Sequence, residues 1–568
     1  MKLLSSISVV VLCAAAAFAD QAPSTAIKVD QVGYPVGNAK VAIVTAPGSS
    51  FLVKRASDGK QVLSGKLSAP AKDADTGDAV QAADFSKLKD SGKYFIEVPG
   101  VGRSYTFEIG PDVFSRTYHL AMLGFYGQRC GTAVDLGPEF PGYKHAACHQ
   151  GGTFHSSSGM QGKHEVPRGW HDAGDYGRYV VNSGISTGTM LWAWELFGDK
   201  TDKVKLSIPE HGNGTPDLLN EARWNIEWML SMQDEDGGAW QKETSEQFTG
   251  FVMPEDDKLP DVVIGTGAAP YKSTCATADL ASVAAIAARV YQKFDPAFAA
   301  KNLDAARRAW AWTEEHPDVV FRNPKGVVTG EYGDSNCSDE RLWAAAELWR
   351  TTGEPTFHLY FLSHRADFMK TLDSQPPENW NQVAPMGLWG YALANRADAD
   401  QKAVTEIRDA IVTAARAVVK NTEANPYRVS LTTKDYVWGS NGVAANYAMQ
   451  LLVANKVSPE PAFVNAALDN IHYILGRNTF GLSWVTQVGA NPYRHPHHRP
   501  SGADSNVEPW PGLLSGGPNN NRQDDAVKKV SDPHPARAYV DDQGSYASNE
   551  IAINWQASLV FALAGVLQ

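Results

Sequence analysis

The sequence predicts a mainly α fold, a toroid of helices preceded by a small β-sandwich, and three observations predict it. Hydrophobic periodicity stays near two from Ile27 to about Ile109, then changes to about 3.6 after Gly110-Pro111. All 16 Trp fall at or after Trp170, so the chain joins two parts of different construction. Twelve amphipathic stretches follow the change of period, with few convincing strands between them.

The first part offers strands at Ile27–Gln31, Lys40–Thr45, Phe51–Arg55, Gln61–Leu67, Val80–Phe85, Lys93–Val98 and Ser104–Ile109, separated by Gly, Pro, Asp and Ser. Seven short strands spaced by turn signals suit an immunoglobulin-like sandwich, here with neither Trp nor a Cys pair. Helices are expected at Phe114–Arg129 and at about 178–197, 216–233, 276–294, 301–315, 338–352, 356–372, 387–396, 401–420, 439–455, 459–475 and 549–566. The loops 130–177, 235–273 and 476–548 are long, and loops above about 15 residues usually carry function.

Composition narrows the class. The 568 residues are 43% hydrophobic and 20% charged, as in a soluble globular protein, with a net charge of -12 that disfavours nucleic acid and acidic membrane surfaces. Met1–Ala19 has Lys2, an apolar run and a small-x-small end at Ala17-Phe18-Ala19, the pattern of a secretory leader cut before Asp20, with Cys13 discarded. Residues 20–110 then form the sandwich and 111–568 the helical domain of a secreted (extracellular or periplasmic) monomer. Of the remaining cysteines, Cys275 and Cys337 are expected as buried thiols unless the fold brings them together. Cys130 and Cys148 stand near His149 and His171, a set that suits either tetrahedral structural zinc or a Cys130–Cys148 disulfide.

Three constellations carry chemistry. Gly169–Tyr179 places Asp172 and Asp175 on a Gly-bearing turn that leads into a helix, where one carboxylate can take a proton from water while the other holds that water; plain N-capping is the competing reading. Glu550 stands before an apolar helix among Tyr546, Ile551 and Trp555, surroundings that raise a carboxyl pKa, although an acid at a helix N-terminus is also favoured by the dipole. Asn491–Arg499 packs His495, His497 and His498 between Arg494 and Arg499. The two Arg disfavour a divalent cation, so sugar-hydroxyl donors are preferred, with a metal-dependent hydrolase using His495–His498 as the rival. Among tryptophans outside the clearest helices, Trp240, Trp380, Trp389, Trp438 and Trp510, we single out Trp380 and Trp438 as sugar platforms; Trp192, Trp194, Trp224, Trp228, Trp343 and Trp349 read as core.

The spacing of Ser483, Val485, Thr486, Gly489, Asn491, Pro496, His497 and Arg499 resembles one signature of glycoside hydrolase family 9. That of Tyr539, Asp541, Tyr546, Glu550 and Ala552 resembles the other, and Trp170–Tyr179 resembles the family's Asp-Ala-Gly-Asp segment. The resemblance covers about residues 112–567; the sandwich resembles the immunoglobulin-like domain preceding many such enzymes. One departure is Gln556-Ala557 after Trp555. The resemblance implies an (α/α)6 barrel catalytic domain that hydrolyses β-1,4-glucan by inversion, endo-acting on cellulose or related soluble glucans. Asp175 would be the base, Asp172 its partner, Glu550 the acid, and His497, Arg499 and Tyr546 would bind substrate. It also favours zinc at Cys130, Cys148, His149 and His171, and implies calcium at two oxygen-rich loops, through Thr329, Glu331 and Asp334 and through Ser501, Asp504 and Val507; solvated turns would look the same. An exo-acting cellodextrinase, a chitosan-oligomer hydrolase and a non-catalytic glycan-binding protein remain as alternatives.

Overall fold

The computed structural model describes residues 22–373 and 377–568. The expected leader, with its expected cleavage site and Cys13, lies outside them. Ten strands precede the first helix: β1 Ile27–Lys28, β2 Gly33–Pro35, β3 Val41–Val44, β4 Ser50–Arg55, β5 Gln61–Lys66, β6 Ala71–Lys72, β7 Ala79–Asp84, β8 Gly92–Val98, β9 Gly102–Arg103 and β10 Phe107–Gly110. They form two sheets, ordered β1-β3-β7-β6 and β2-β10-β8-β4-β5, with β9 against β8. Alternate residues Phe51 and Val53 of β4 and Tyr94, Ile96 and Val98 of β8 fill the space between them.

β3 is buried on both faces. Ala42 and Val44 join the sandwich core, whereas Val41 and Ile43 join the core of the helical body. The same seam holds a buried Asp30–His472 contact at 2.7 Å, and Gln31, whose Oε1 accepts from the Ala490 and Asn491 N–H groups.

The helices are α1 Ser115–Gly127, α2 Val180–Thr201, α3 Asp217–Ser231, α4 Thr274–Tyr291, α5 Pro296–Glu315, α6 Ser338–Thr352, α7 Pro355–Phe368, α8 Ala384–Leu393, α9 Gln401–Ala424, α10 Ser440–Val457, α11 Pro461–Ile474, α12 Arg499–Ala503, α13 Tyr546–Asn549 and α14 Ile553–Val566. Their starts follow capping chemistry: Ser273, Asp295 and Asp400 accept from N–H groups three residues on, and Pro296 and Pro461 open α5 and α11. α2, α4, α6, α8, α10 and α14 contact one another in a closed circuit, and α1, α3, α5, α7, α9 and α11 pack around it. Sequence decides which helix goes where. Every residue of α4 except Arg289 is buried, as a helix surrounded by others requires, while α9 buries only a stripe from Ala403 and Ile407 to Val418 and Thr422. No helix among the described residues is long and apolar enough to cross a membrane.

Three expectations are corrected. The final helix expected over 549–566 is broken: α13 ends at Asn549, α14 starts at Ile553, and Glu550 lies in the extended link between them. The long loops are not strand-poor, because Gly152–Phe154, Lys163–His164, Arg178–Tyr179, Lys242–Thr244 and Val262–Ile264 form a five-stranded sheet from segments far apart in sequence. Cys275 and Cys337 are not thiols; they form a disulfide joining the starts of α4 and α6.

Candidate active site

Three chain segments meet at one end of the helical circuit and are fastened by backbone bonds. Arg499 N–H donates to Gly174 O at 3.1 Å, Ile553 N–H to Asp172 O at 2.9 Å and His497 N–H to Asn549 O at 2.9 Å. His497 and Glu550 also form an isolated parallel bridge. Gln128, at the end of α1, donates to the carbonyls of His171 and Ala173 and meets His498 Nε2 at 3.0 Å, so one buried amide ties the turn to the histidine segment. Residue 174 must be glycine: a Cβ there would lie 2.0 Å from the His497 carbonyl oxygen.

This junction lines a cleft of about 690 Å³, with Asp172, Asp175 and Glu550 in its wall. Asp172 Oδ1 accepts from Asn182 at 2.6 Å and its Oδ2 from the Tyr332 hydroxyl at 2.6 Å. Burial and the neighbouring Asp175 push its pKa up to about 8, against the pull of those two donors. Asp175 Oδ2 accepts from the Tyr179 hydroxyl at 3.0 Å and the Gly177 N–H at 3.2 Å. Neither aspartate caps α2, whose N-cap is Tyr179 without a side-chain bond. Glu550 is raised well above the ordinary carboxyl range by burial and then by Asp175, with Arg499 and the Gly174 backbone working the other way.

His497 Nδ1 bonds the Gln543 carbonyl at 2.7 Å, and burial lowers its pKa, leaving a neutral ring at the cleft wall. Arg499 is anchored on the carbonyls of Gly174 and Thr249. Trp380, Trp438 and Tyr546 all line the cleft, as do Tyr332 and Phe248. Trp438 and Tyr546 are 38% and 39% exposed with ring centroids 5.4 Å apart, and Trp380 meets Tyr332 edge-on at 5.2 Å. Trp240, Trp389 and Trp510 are buried and belong to the core. Among those expected in the core, Trp192, Trp228, Trp343 and Trp349 are buried, but Trp194 and Trp224 are only partly so.

The three histidines do not converge, which removes the basis for a His495–His498 metal centre: His495 is exposed beside Asp541, His497 faces the cleft, and His498 is buried between Ser501 and Gln128. Cys130, Cys148, His149 and His171 do converge, their ligand atoms lying within 4.8 Å of one another. Both cysteines are buried free thiols rather than a disulfide, and the Nδ1 atoms of His149 and His171 are buried without a hydrogen-bond partner. His149 Nε2 lies 3.6 Å from Asp257, as outer carboxylates orient metal-bound imidazoles. The set therefore fits a tetrahedral N/S-liganded ion.

The calcium loops are served differently. The Lys242 ammonium takes the Thr329 carbonyl and hydroxyl and the Gly330 carbonyl, and Glu331 accepts from the Asn323 N–H. Asp334 accepts from the Asn336 N–H. Asp504 accepts from Asn506 and from Trp510 Nε1, Ser501 bonds His498 and Trp510, and Val507 is 91% exposed. Protein donors reach most of these oxygens, but Asp334 Oδ2 is buried without a hydrogen-bond partner. Gln556, the departure after Trp555, is a buried strut that donates to Ala121 O and Gly512 O. Residues missed in the sequence are Asn182, Tyr179, Tyr332 and Gln128; only Tyr179 and Tyr332 stood in segments already singled out.

A family model described as "Glycosyl hydrolase family 9" matches residues 114–563, and one described as "Cellulase N-terminal ig-like domain" matches residues 22–103. "Endoglucanase D" of Acetivibrio thermocellus is 39% identical over 542 residues, covering 95% of this chain and 83% of that protein. A "xyloglucan-specific endo-beta-1,4-glucanase" of Bacteroides ovatus is 35% identical, covering 96% and 94%. A solved structure described as a "Zn-binding triple mutant of GH family 9 endoglucanase J30" is 35% identical, with a TM-score of 0.86, over 94% of this chain and 100% of that one.

Proposed function

Because the chain belongs to glycosyl hydrolase family 9, we propose that it is a secreted endo-1,4-β-glucanase that cleaves β-1,4-glucosidic bonds of cellulose or related glucans with inversion. The observation that carries this reading is the meeting of Asp175 and Glu550, 375 residues apart in sequence, in one aromatic-walled cleft. Inversion needs a water between base and sugar, hence carboxyl groups about 6.5–9.5 Å apart. Asp175, with its Oδ2 pinned by Tyr179 and Gly177, takes the proton from that water. Asp172, fixed between Asn182 and Tyr332, orients the water. Glu550, kept protonated by burial, gives its proton to the departing glycosidic oxygen. His497 and Arg499 bind hydroxyls beside the scissile bond, and Trp380, Trp438 and Tyr546 stack against pyranose faces.

The closed circuit of helices supports an (α/α)6 barrel spanning residues 111–568, with residues 20–110 as the immunoglobulin-like domain and a monomer as the working unit. A zinc ion held by Cys130, Cys148, His149 and His171 would pin the loop that leads into Asp172 and Asp175. The apolar run of Met1–Ala19 supports export.

The test is reducing-end release from soluble cello-oligomers, with binding measured by calorimetry. Asp175→Asn and Glu550→Gln are expected to abolish release while binding persists. Release by Glu550→Gln at the native rate, or no release by the native protein, would refute the reading.

A further inference from the structure

We infer that Lys242 is a positioning residue for the catalytic carboxylates, an internal ammonium that clamps the Thr329–Tyr332 loop so that Tyr332 can hold Asp172. The proposal rests on the hydrolytic reading above and adds a part to it.

Lys242 lies in the short strand Lys242–Thr244 and is fully buried. Its Nζ donates to Gly330 O at 2.7 Å, Asn323 Oδ1 at 2.8 Å, and Thr329 O and Oγ1 at 3.2 Å each. All four acceptors are neutral oxygens, so this is a solvation shell rebuilt from protein, such as a buried cation requires. Burial pulls its pKa down to about 7, with Asp175 and then Glu331 pulling it back up. The neighbouring residue acts on the same loop: Gln241 Nε2 donates to Tyr332 O at 3.0 Å. Two consecutive side chains therefore grip four consecutive carbonyls, Lys242 those of Thr329 and Gly330 and Gln241 those of Glu331 and Tyr332.

What the grip maintains is an unfavourable backbone. Tyr332 has φ +43°, in the left-handed region that costs a bulky residue energy and persists only where surroundings over-determine it. In that conformation its hydroxyl reaches Asp172 Oδ2 and its ring packs on Tyr179 at 5.0 Å, the tyrosine whose own hydroxyl serves Asp175. Tyr179 is also the direct cross-strand partner of Lys242. One strand position thus lies behind both tyrosines that orient the aspartates, without touching the cleft itself.

The test is steady-state kinetics of Lys242→Met and Tyr332→Phe, singly and together, on soluble cello-oligomers. Misplacing a catalytic group by about 1 Å can cost about 10²-fold, so Lys242→Met is expected to lower kcat by about 10- to 100-fold. KM should stay within about threefold, because the loss is confined to the transition state. The double variant should lose little more than Lys242→Met alone, since both changes break one connection. Lys242→Gln, whose amide can still donate to the Gly330 carbonyl, should fold more readily and recover part of kcat. Unchanged kcat in Lys242→Met, a lowered melting temperature with native kcat, or strictly additive losses would overturn the proposal. Should the Lys242 variants not fold, full kcat in Tyr332→Phe, which lies at the cleft wall, overturns it equally. If Glu550→Gln keeps native activity, the hydrolytic reading fails instead, whatever Lys242 does.

Discussion

The turn carrying Asp172 and Asp175 and the link carrying Glu550 line one cleft but are built on opposite plans. The turn is rich in donors: Asn182, Tyr332, Tyr179 and the Gly177 N–H all point at carboxylate oxygens. The link is a three-residue gap between α13 and α14, bridged to His497 through backbone and set in the cleft wall, where desolvation and Asp175 drive the carboxyl toward its protonated form. Desolvation raises Asp172 as well as Glu550, so what distinguishes the two segments is the set of donors on the aspartates and the backbone bridge that holds Glu550.

The largest way to break this comparison is to remove each carboxyl in turn and vary the leaving group. General acid–base residues contribute about 10²–10⁴-fold, and both Asp175→Asn and Glu550→Gln should lose at least that on cello-oligomers. On an aryl cellobioside whose leaving group needs no proton, Glu550→Gln should regain most of its rate and Asp175→Asn none. Equal recovery by both, read as kcat ratios, would erase the distinction.

A smaller effect concerns pH. A raised Glu550 pKa means that the acid stays protonated well above the ordinary carboxyl range, so kcat/KM should fall on the alkaline side, as pH rises through that raised value. In Asp175→Asn the like-charge repulsion is gone, so the alkaline limb of the residual activity should move to lower pH. A limb near 4.5 in the native enzyme would mean that burial of Glu550 is not felt.

Next comes the seam between the two plans. Gly174→Ala places a methyl against the His497 carbonyl, and overpacking typically costs about 1–3 kcal/mol. Its thermal midpoint should fall, with kcat falling alongside because turn and link move apart. The smallest effect is expected from metal removal. Chelation should release one zinc per chain and lower the thermal midpoint, with a smaller loss of kcat at low temperature, since the cluster lies behind the turn and not in the cleft.

How far this was legible in the sequence depends on range. The change of period after Gly110-Pro111 and the Ala- and Val-rich helices α4 and α10 are local signals, and they located sandwich and helices. Asp172, Asp175, Glu550, His497 and Arg499 stand in compact motifs, and the fold brings them to one cleft. The Cys275–Cys337 bond joins positions 62 residues apart, with no local mark of pairing. The five-stranded sheet is made of strands two or three residues long, too short to show a period. The oxygen-rich loop 329–334 suggested calcium because its acceptors are visible in the sequence, whereas the ammonium that satisfies several of them, Lys242, lies 87 residues upstream of Thr329. Its role depends on a cross-strand register that no spacing reveals.

The central claim is that Asp175 activates water while Glu550 protonates the leaving group on the opposite side. Proton NMR of the first products from a soluble β-1,4-cello-oligomer tests it most directly. The account predicts that the new reducing end appears as the α-anomer before mutarotation; initial β-anomer would contradict it.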